Sequence, residues 1–406
     1  MQVAIIGGGI VGLTLGLNLH ARGIGCRIYE AVPDIQEIGV GITLLPHGVR
    51  ELTALGLQDK LLAAGIENRE SAFFNRFGQL IYKEPRGRLA GYATPEIGIH
   101  RGRLHAILYA EVKARLGADQ IVTGRRALGV EQDDDGVTVR FEDGHSVRAD
   151  VAIACDGVNS AIRRQFYPDE SVVFTGINTW RGVTRRKPIL DGRTYMRVGS
   201  LKTGKIVIYP IGDALDGSGD QLINWVAEIQ SDDQVMNDWN AKGRLDQFYP
   251  LYEGWKFDWL DVSALIRDAQ QVFEYPMVDK DPIDRWSFGR VTFAGDAAHP
   301  MYPRGSNGSA QGVIDTRVLA EHLDAPGGPI AGLAAYEAER LGPTSAVVRA
   351  NRANPPDIIN IRVEELTGDR PFEDLDALIS QDELRALSDR YKQVAGFDLK
   401  SLRASA

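Results

Sequence analysis

The first thirty residues leave this chain few folds to adopt. Val3-Ala-Ile-Ile-Gly7-Gly-Gly9-Ile-Val-Gly12 is an apolar run that ends in a glycine turn. Ile10 to Ala21 then carries helical periodicity, and Cys26 to Glu30 is a second short apolar strand. Strand, tight turn, helix and strand make a βαβ unit, and continuous apolar strands belong in a parallel sheet covered on both faces. The spacing G-x-G-x-x-G has a physical reading: Gly7 permits the turn, Gly9 lets a pyrophosphate approach the backbone, and Gly12 lets helix pack on strand. Unpaired N–H groups at the helix start then face the phosphates. Such spacing also arises from packing alone, but here Glu30 closes the second strand about 20 residues on, where a carboxylate meets a ribose hydroxyl pair. The same carboxylate repels a 2′-phosphate, which disfavours NADP at this position.

Further along, the pattern changes. From Ser71 to Ile99 the segments are short and punctuated by Gly and Pro, and Arg103 to Leu116 is an amphipathic helix. Alternating strands surround the turn Glu142-Asp-Gly-His145, and Val151 to Ala154 is a buried strand that runs into Asp156-Gly157. Residues 172–275 are rich in β-branched and aromatic side chains, with turn signals at Asp191-Gly192 and Asp216-Gly-Ser-Gly219. They read as a mostly antiparallel sheet. A second strand-ending motif follows, Val291-Thr-Phe-Ala-Gly295-Asp296-Ala-Ala-His299, and the chain is mainly helical from Ser306 onward.

Composition narrows the function. A net charge of −9 and a pI near 5.4 argue against nucleic acid or an anionic membrane surface as partner. No apolar stretch approaches the roughly 18 residues of a membrane span, and the N-terminal run lacks the basic flank of a signal peptide. Cys26 and Cys155 suit neither a disulfide framework nor a metal site and read as small buried hydrophobes in a reducing, cytoplasmic setting. None of the seven histidines forms a metal-binding pattern, so no metal is expected.

With these residues in view, the chain resembles the group A FAD-dependent aromatic hydroxylases, the para-hydroxybenzoate hydroxylase family. Asp156-Gly157 with Ser160 and Arg163 matches their D-G-x-x-S-x-x-R motif. Gly295-Asp296, continued by Pro303-Arg-Gly-Ser-Asn-Gly308, matches their second FAD motif. The likeness spans residues 1–345, and within the group it is nearest to phenazine-carboxylate hydroxylases, which share runs similar to Ile99-His-Arg-Gly102, Trp180-Arg-Gly-Val183, Tyr275-Pro-Met-Val-Asp279 and Met301-Tyr-Pro303. The resemblance implies an α/β fold: a Rossmann-like FAD-binding domain (1–70, 98–171 and 276–345), a second domain on a mostly antiparallel β-sheet (71–97 and 172–275), and C-terminal helices (346–406).

It also implies roles, each with a plainer alternative. Asp296 would accept a ribityl or ribose hydroxyl, or would only cap the next turn. Asp156 and Gly157 would contact FAD, or would form a strand-end turn with Arg163 paired to Asp156. Arg101 matches a FAD-contacting arginine, or is a solvated charge. Gly305, Ser306 and Asn307 open a helix near Ser306 whose N-terminus would stabilise negative charge on a reduced flavin, with Pro303 near its reactive face. The loop 37–43 has no arginine where the para-hydroxybenzoate enzyme has several, which leaves Gly41 and Ile42 as the backbone contacts to the ring. Tyr336-Glu-x-x-Arg340-x-x-Pro343 is read as a structural helix-end pattern.

No nucleophile–base constellation stands out, which suits chemistry carried by a cofactor. The implied reaction is aromatic hydroxylation, with or without decarboxylation, using O2 and NADH or NADPH through a C4a-hydroperoxyflavin. The expected substrate is a small aromatic molecule held between the second sheet and the flavin. Pocket candidates are Trp180, Arg181, Tyr209, Trp225, Tyr302 and Arg304, the arginines for a substrate carboxylate, with His299 as acceptor of a phenolic proton. Aromatic residues on a sheet are also ordinary core, and His299 is equally suited to a structural hydrogen bond. The rival readings are another FAD- or NAD-dependent oxidoreductase and a non-catalytic FAD-binding protein.

Overall fold

The computed structural model describes residues 1–34, 39–231, 243–353, 357–394 and 398; Glu37 and Ile38 of the arginine-free loop lie outside that set. The opening unit forms as strand Gln2–Ile6, helix Ile10–Ala21 and strand Gly25–Tyr29. These strands belong to a five-stranded parallel sheet in the order Val291–Phe293, Val151–Ala154, Gln2–Ile6, Gly25–Tyr29, Ile121–Val122. All four residues of Val151–Ala154 are buried, as strands covered on both faces require. Helix Ile10–Ala21 packs against Arg101–Leu116 and Gly308–Asp324, and a small antiparallel sheet adds Val130, Val137, Val139 and Phe141 to the same core.

Parallel pairing explains how motifs some 290 residues apart meet. Ile6 lies beside both Tyr29 and Ala154, and Ala154 beside Phe293. The residues that follow these strand ends (Gly7, Glu30, Asp156 and Asp296) therefore emerge along one edge of the sheet, where doubly wound folds bind ligands.

The second layer is a seven-stranded sheet ordered Val272–Asp279, Val173–Arg186, Gln221–Gln230, Gly204–Asp213, Thr194–Ser200, Glu70–Phe74, Leu80–Pro85. Its pairings are antiparallel except for Thr194–Ser200 beside Glu70–Phe74. One face carries Ala72, Trp180, Met196, Ile208 and Trp225 and is covered by Phe248, Tyr252, Trp255, Val262 and Leu265. The other face meets the first layer: Gly41 N donates to Asn224 Oδ1 at 2.7 Å.

Helix Pro329–Ala353 contains Pro343 in its interior, so the Tyr336–Pro343 pattern does not end the helix. Helices Ile358–Thr367 and Gln381–Val394 pack Ile359, Val363 and Leu384 on Phe73, Ile81 and Tyr82. The C-terminal segment thus seals the edge strands of the second sheet. Among the described residues no helix is long and apolar enough to cross a membrane.

Candidate active site

The three glycines of the first motif do different work. A Cβ on Gly7, whose φ is +105°, would stand 2.4 Å from the Cys155 carbonyl oxygen, and one on Gly12 would stand 1.9 Å from the Gly7 oxygen. Both are glycine because the backbone of their neighbours is already there. Gly9 alone faces open space, with nothing within 4 Å of its Cβ position, and the helix it starts has no side-chain cap. That opening is a cradle for an anion. Glu30 braces the turn: Gly8 N donates to its Oε2 at 2.7 Å and Val32 N to its Oε1 at 2.8 Å, each oxygen keeping a lone pair for a hydroxyl.

Asp156 sits beside this turn. Its Oδ2 accepts from Ala161 N at 2.9 Å, while its buried Oδ1 has no partner in the described chain, and burial pushes the carboxyl above its usual range. Gly157 (φ +78°) has open space around it. Arg163 does not pair with Asp156. It is fully buried, forms an ion pair with Glu170, and donates to the carbonyls of Ala297 (3.0 Å) and Ala298 (2.8 Å). This arginine ties the Asp156 motif to the Gly295–His299 turn, a long-range link that the motif spacing does not reveal.

Asp296 is exposed at the edge of the parallel sheet, yet the protein around it raises its carboxyl, with His299 and Arg101 pulling the other way. Arg101 is exposed, and its charge acts on the Asp296 carboxyl. Asp296 Oδ1 also lies 4.0 Å from the Cβ position of Gly308, which opens helix Gly308–Asp324 two residues later than expected. Val11 of the first helix packs on both Gly295 and Gly312, so the two nucleotide motifs share one wall.

His299 makes the structural hydrogen bond on one of its two ring nitrogens. It is 3% exposed, donates from Nε2 to Asp315 Oδ2 at 2.6 Å and lies against Trp286, which is the structural alternative for that nitrogen, while its buried Nδ1 has no partner among the described residues. Asp315, which the sequence reading missed, also accepts from Gly295 N (3.0 Å) and Arg340 Nε (2.8 Å). The available signal was an acid at the i−3 and i−4 positions to the apolar Val318 and Leu319 on one helical face.

The loop after the second motif is held from the C-terminal side. Pro303 is exposed, and Gly305 and Ser306 have φ of +77° and +57°. Asn307 is buried against His47 (Nε2 to Oδ1, 3.0 Å), whose imidazole burial pushes down to about 4, leaving it neutral. Tyr391 Oη donates to Asn351 Oδ1 at 3.0 Å and would lie 1.8 Å from a Cβ on Gly305. Arg304 meets Asp357 Oδ2 through Nη2 at 2.6 Å, Lys205 meets the same carboxylate at 3.1 Å, and the buried Arg304 Nε has no partner among the described residues. Tyr302 is buried with Ile177, Leu201 and Met277, its hydroxyl pushed up by burial and by Asp279, which is a core position and not a catalytic one. Gly305→Ala is expected to displace Tyr391 and cost about 1–3 kcal/mol, with flavin release, followed by its fluorescence, several-fold faster; unchanged release would show that Tyr391 does not restrain the loop.

Strand alternation divides the remaining pocket candidates. Trp180 and Trp225 project into the covered core, Trp180 stacked on Phe248 at 4.9 Å and Trp225 Nε1 donating to Thr184 Oγ1. They cannot line a pocket on the other face. Tyr209 and Arg181 do lie on that face, Tyr209 stacked on Tyr195 at 4.9 Å and Arg181 over Tyr275 at 5.3 Å. Gly41 is packed so closely on Asn224 and Ile211 that its N–H is already used, with Ile42 half-buried beside it. Burial pushes the Cys26 thiol up to about 11 and raises the Cys155 thiol well above its ordinary range, consistent with packing and not reactivity.

The open cradle at Gly9, the partnerless Asp156 oxygen and the solvent-facing Asp296 fit a dinucleotide bearing ribose and ribityl hydroxyls. A family model described as "FAD binding domain" matches residues 1–191 and 265–351. The chain is 38% identical over 362 residues to phenazine 1,6-dicarboxylic acid hydroxylase PhzS of Lysobacter antibioticus, covering 86% of this chain and 89% of that protein. It is 32% identical over 360 residues to 3-amino-4-hydroxybenzoate 2-monooxygenase of Streptomyces cremeus, covering 87% and 86%. In fold it is similar to Klebsiella pneumoniae HpxO complexed with FAD and uric acid, with a TM-score of 0.78 at 24% identity over 99% of this chain and 97% of that one.

Proposed function

This chain belongs to the FAD binding domain family of aromatic hydroxylases, and from that premise we propose that it is an NAD(P)H- and O2-dependent monooxygenase. It places one oxygen atom of O2 as a hydroxyl on an electron-rich aromatic or heteroaromatic ring, with or without loss of a ring carboxylate, and releases the other as water. Bound FAD supplies the redox chemistry by taking two electrons from NAD(P)H and passing them to O2. The protein's part is to hold, orient and exclude water. Gly9 and the helix behind it receive the pyrophosphate, Glu30 and Asp296 accept hydroxyls, and the start of helix Gly308–Asp324 offers partial positive charge to an electron-rich ring.

What supports this reading is the approach of two segments beside the nucleotide edge, the strand at Gly41 and the loop after the second motif, to one face of the second sheet. Gly41 reaches that face through Asn224, and Arg304 reaches it through Asp357 and Lys205. A space closed on those sides can shield a reactive oxygen species from water. Trp180 and Trp225 face the covered core and have no part in this proposal, nor does Tyr302, which is buried with Ile177, Leu201 and Met277.

The experiment is an absorbance spectrum of the purified protein followed by NADH or NADPH consumption with a panel of phenols, phenazines and aromatic acids. A flavin spectrum and consumption raised at least tenfold by one aromatic, with label from 18O2 in the product, is the expected result. Flavin reduction that no aromatic accelerates would favour a different flavin oxidoreductase and overturn the reading.

A further inference from the structure

The seven-stranded sheet presents a row of four side chains with an arginine at each end and two valines between, Val207 in a buried cluster with Tyr195, Tyr209 and Ile211 and Val226 packed against it. Register places Arg181 beside Val226, Val226 beside Val207, and Val207 beside Arg197. The four stand abreast on neighbouring strands, on the face toward the first layer. Three strand spacings of about 4.8 Å put the two arginine Cα atoms about 14 Å apart. Two residues along in one direction, Asn224 receives Gly41 N; two residues along in the other, Lys205 and Glu228 join Asp357 and hence Arg304. The row is therefore the floor between the two segments expected to flank the flavin.

Both arginines lack a carboxylate partner among the described residues. Arg197 is 4% exposed, donates only to Ser71 Oγ at 2.7 Å, and lies between the rings of Tyr195 (4.5 Å) and Phe73 (4.9 Å). It lines a cavity with Arg86, Glu84, Tyr391 and Gly305, so its open side looks toward the loop after the second motif. The carboxylate in that cavity, Glu84, is held by Lys392 (2.8 Å) and Ser388 (2.7 Å). Arg181 is half-buried, and its buried Nε has no partner. Other buried arginines own a carboxylate: Arg86 has Glu96, Arg163 has Glu170, Arg304 has Asp357 and Arg340 has Asp315. Guanidinium groups removed from water without an anion are costly, and two of them at the ends of one apolar row call for a ligand that brings two negative charges.

We propose that this row binds an aromatic dicarboxylate, its ring over Val207 and Val226 and one carboxylate on each of Arg197 and Arg181. Planar guanidinium groups match carboxylates in a two-point fork, which also fixes the in-plane orientation of the ring. The proposal rests on the aromatic-substrate reading above and names its substrate class.

The test titrates the holoenzyme with phenazine-1,6-dicarboxylate, phenazine-1-carboxylate and phenazine, following the flavin absorbance change. In the unmodified protein each carboxylate is expected to tighten binding about tenfold or more. Arg197→Gln and Arg181→Gln should each weaken the diacid roughly 10- to 100-fold, bring it level with the monoacid, and leave phenazine within about threefold. Arg197→Lys and Arg181→Lys, which keep charge but lose the fork, should fall between, and they decide the matter if a Gln variant fails to fold. A Gln variant that binds the diacid as the unmodified protein does, or an unmodified protein that binds phenazine as tightly as the diacid, overturns the proposal. If a neutral aromatic then still accelerates NADH or NADPH consumption, the row is wrong and the monooxygenase reading stands. A flavin that no aromatic makes reactive would remove that reading instead, while the titration still reports on the row.

Discussion

Gly12→Ala is expected to destroy the folded holoprotein, whereas Gly9→Ala should leave the apoprotein intact and remove only its FAD. The two positions belong to one motif but differ in what surrounds them. An added Cβ at Gly12 would sit 1.9 Å from the Gly7 carbonyl oxygen, a backbone atom that is itself anchored because Gly7 N donates to Tyr29 O at 2.8 Å. Relief requires the helix to lift from the sheet, at a cost of about 3 kcal/mol or more. At Gly9 the same methyl meets nothing within 4 Å in the protein, so apoprotein stability should change by less than about 0.5 kcal/mol. It occupies the approach of the pyrophosphate instead, and FAD affinity should fall roughly 100-fold, equivalent to about 2.7 kcal/mol. Thermal unfolding of the deflavinated proteins and FAD titration by fluorescence separate the two effects. Equal loss of apoprotein stability in both variants would refute the division of labour.

Asp315→Asn is expected to be the most damaging single change outside the glycines. The carboxylate is fully buried and receives Gly295 N, His299 Nε2 and Arg340 Nε at 3.0, 2.6 and 2.8 Å. Burial would raise it, but His299 and Arg340 outweigh burial and hold it below the ordinary range. The amide keeps the shape and removes the charge, leaving Arg340 buried without a counter-ion, and breaking such a pair costs about 3–5 kcal/mol. The pH dependence follows from the direction of the shift. A carboxyl lower in the folded than in the unfolded state contributes its full stability above the unfolded pKa near 3.9, and loses it as pH falls through the folded value. Denaturant unfolding should therefore show the largest gap between the two proteins at pH 6–7 and a narrowing gap below pH 4. A gap under about 1 kcal/mol at neutral pH, or one that does not narrow in acid, would contradict the assignment. FAD should also bind more weakly to the variant, because Gly295 N helps aim Asp296.

Much of the nucleotide half was legible in the chain because its signals are local. Apolar strand, glycine turn and helix occur within twenty-one residues, and the structure forms helix Ile10–Ala21 at the positions that periodicity indicates. The loss of a Cβ at Gly7 and Gly12 is a backbone requirement, and backbone requirements leave residue-type signatures. The substrate side was less legible. Trp180 and Arg181 are neighbours in sequence, yet one is in the covered core and the other on the open face. Only the pairing register decides which, since a shift of one residue inverts every side chain on the strand. His299, Tyr302 and Arg304 adjoin the second motif and were drawn into the site by that proximity. Their partners, Asp315, Asp279 and Asp357, lie 16 to 53 residues away along the chain, and no spacing rule links them to the second motif.

What the sequence determined by itself, then, was the cofactor fold and its edge: glycine spacing and apolar strands are constraints within one or two elements, and the acids that follow three of the strands must emerge where parallel strands end. Tertiary structure alone decided which charges remain unpaired. Arg304 and Arg197 look alike as residues, but Asp357 comes from the C-terminal segment to neutralise one and no described residue neutralises the other. Charge compensation in a protein interior depends on distances between segments far apart in the chain, and those distances exist only after the two sheets and the C-terminal helices have packed.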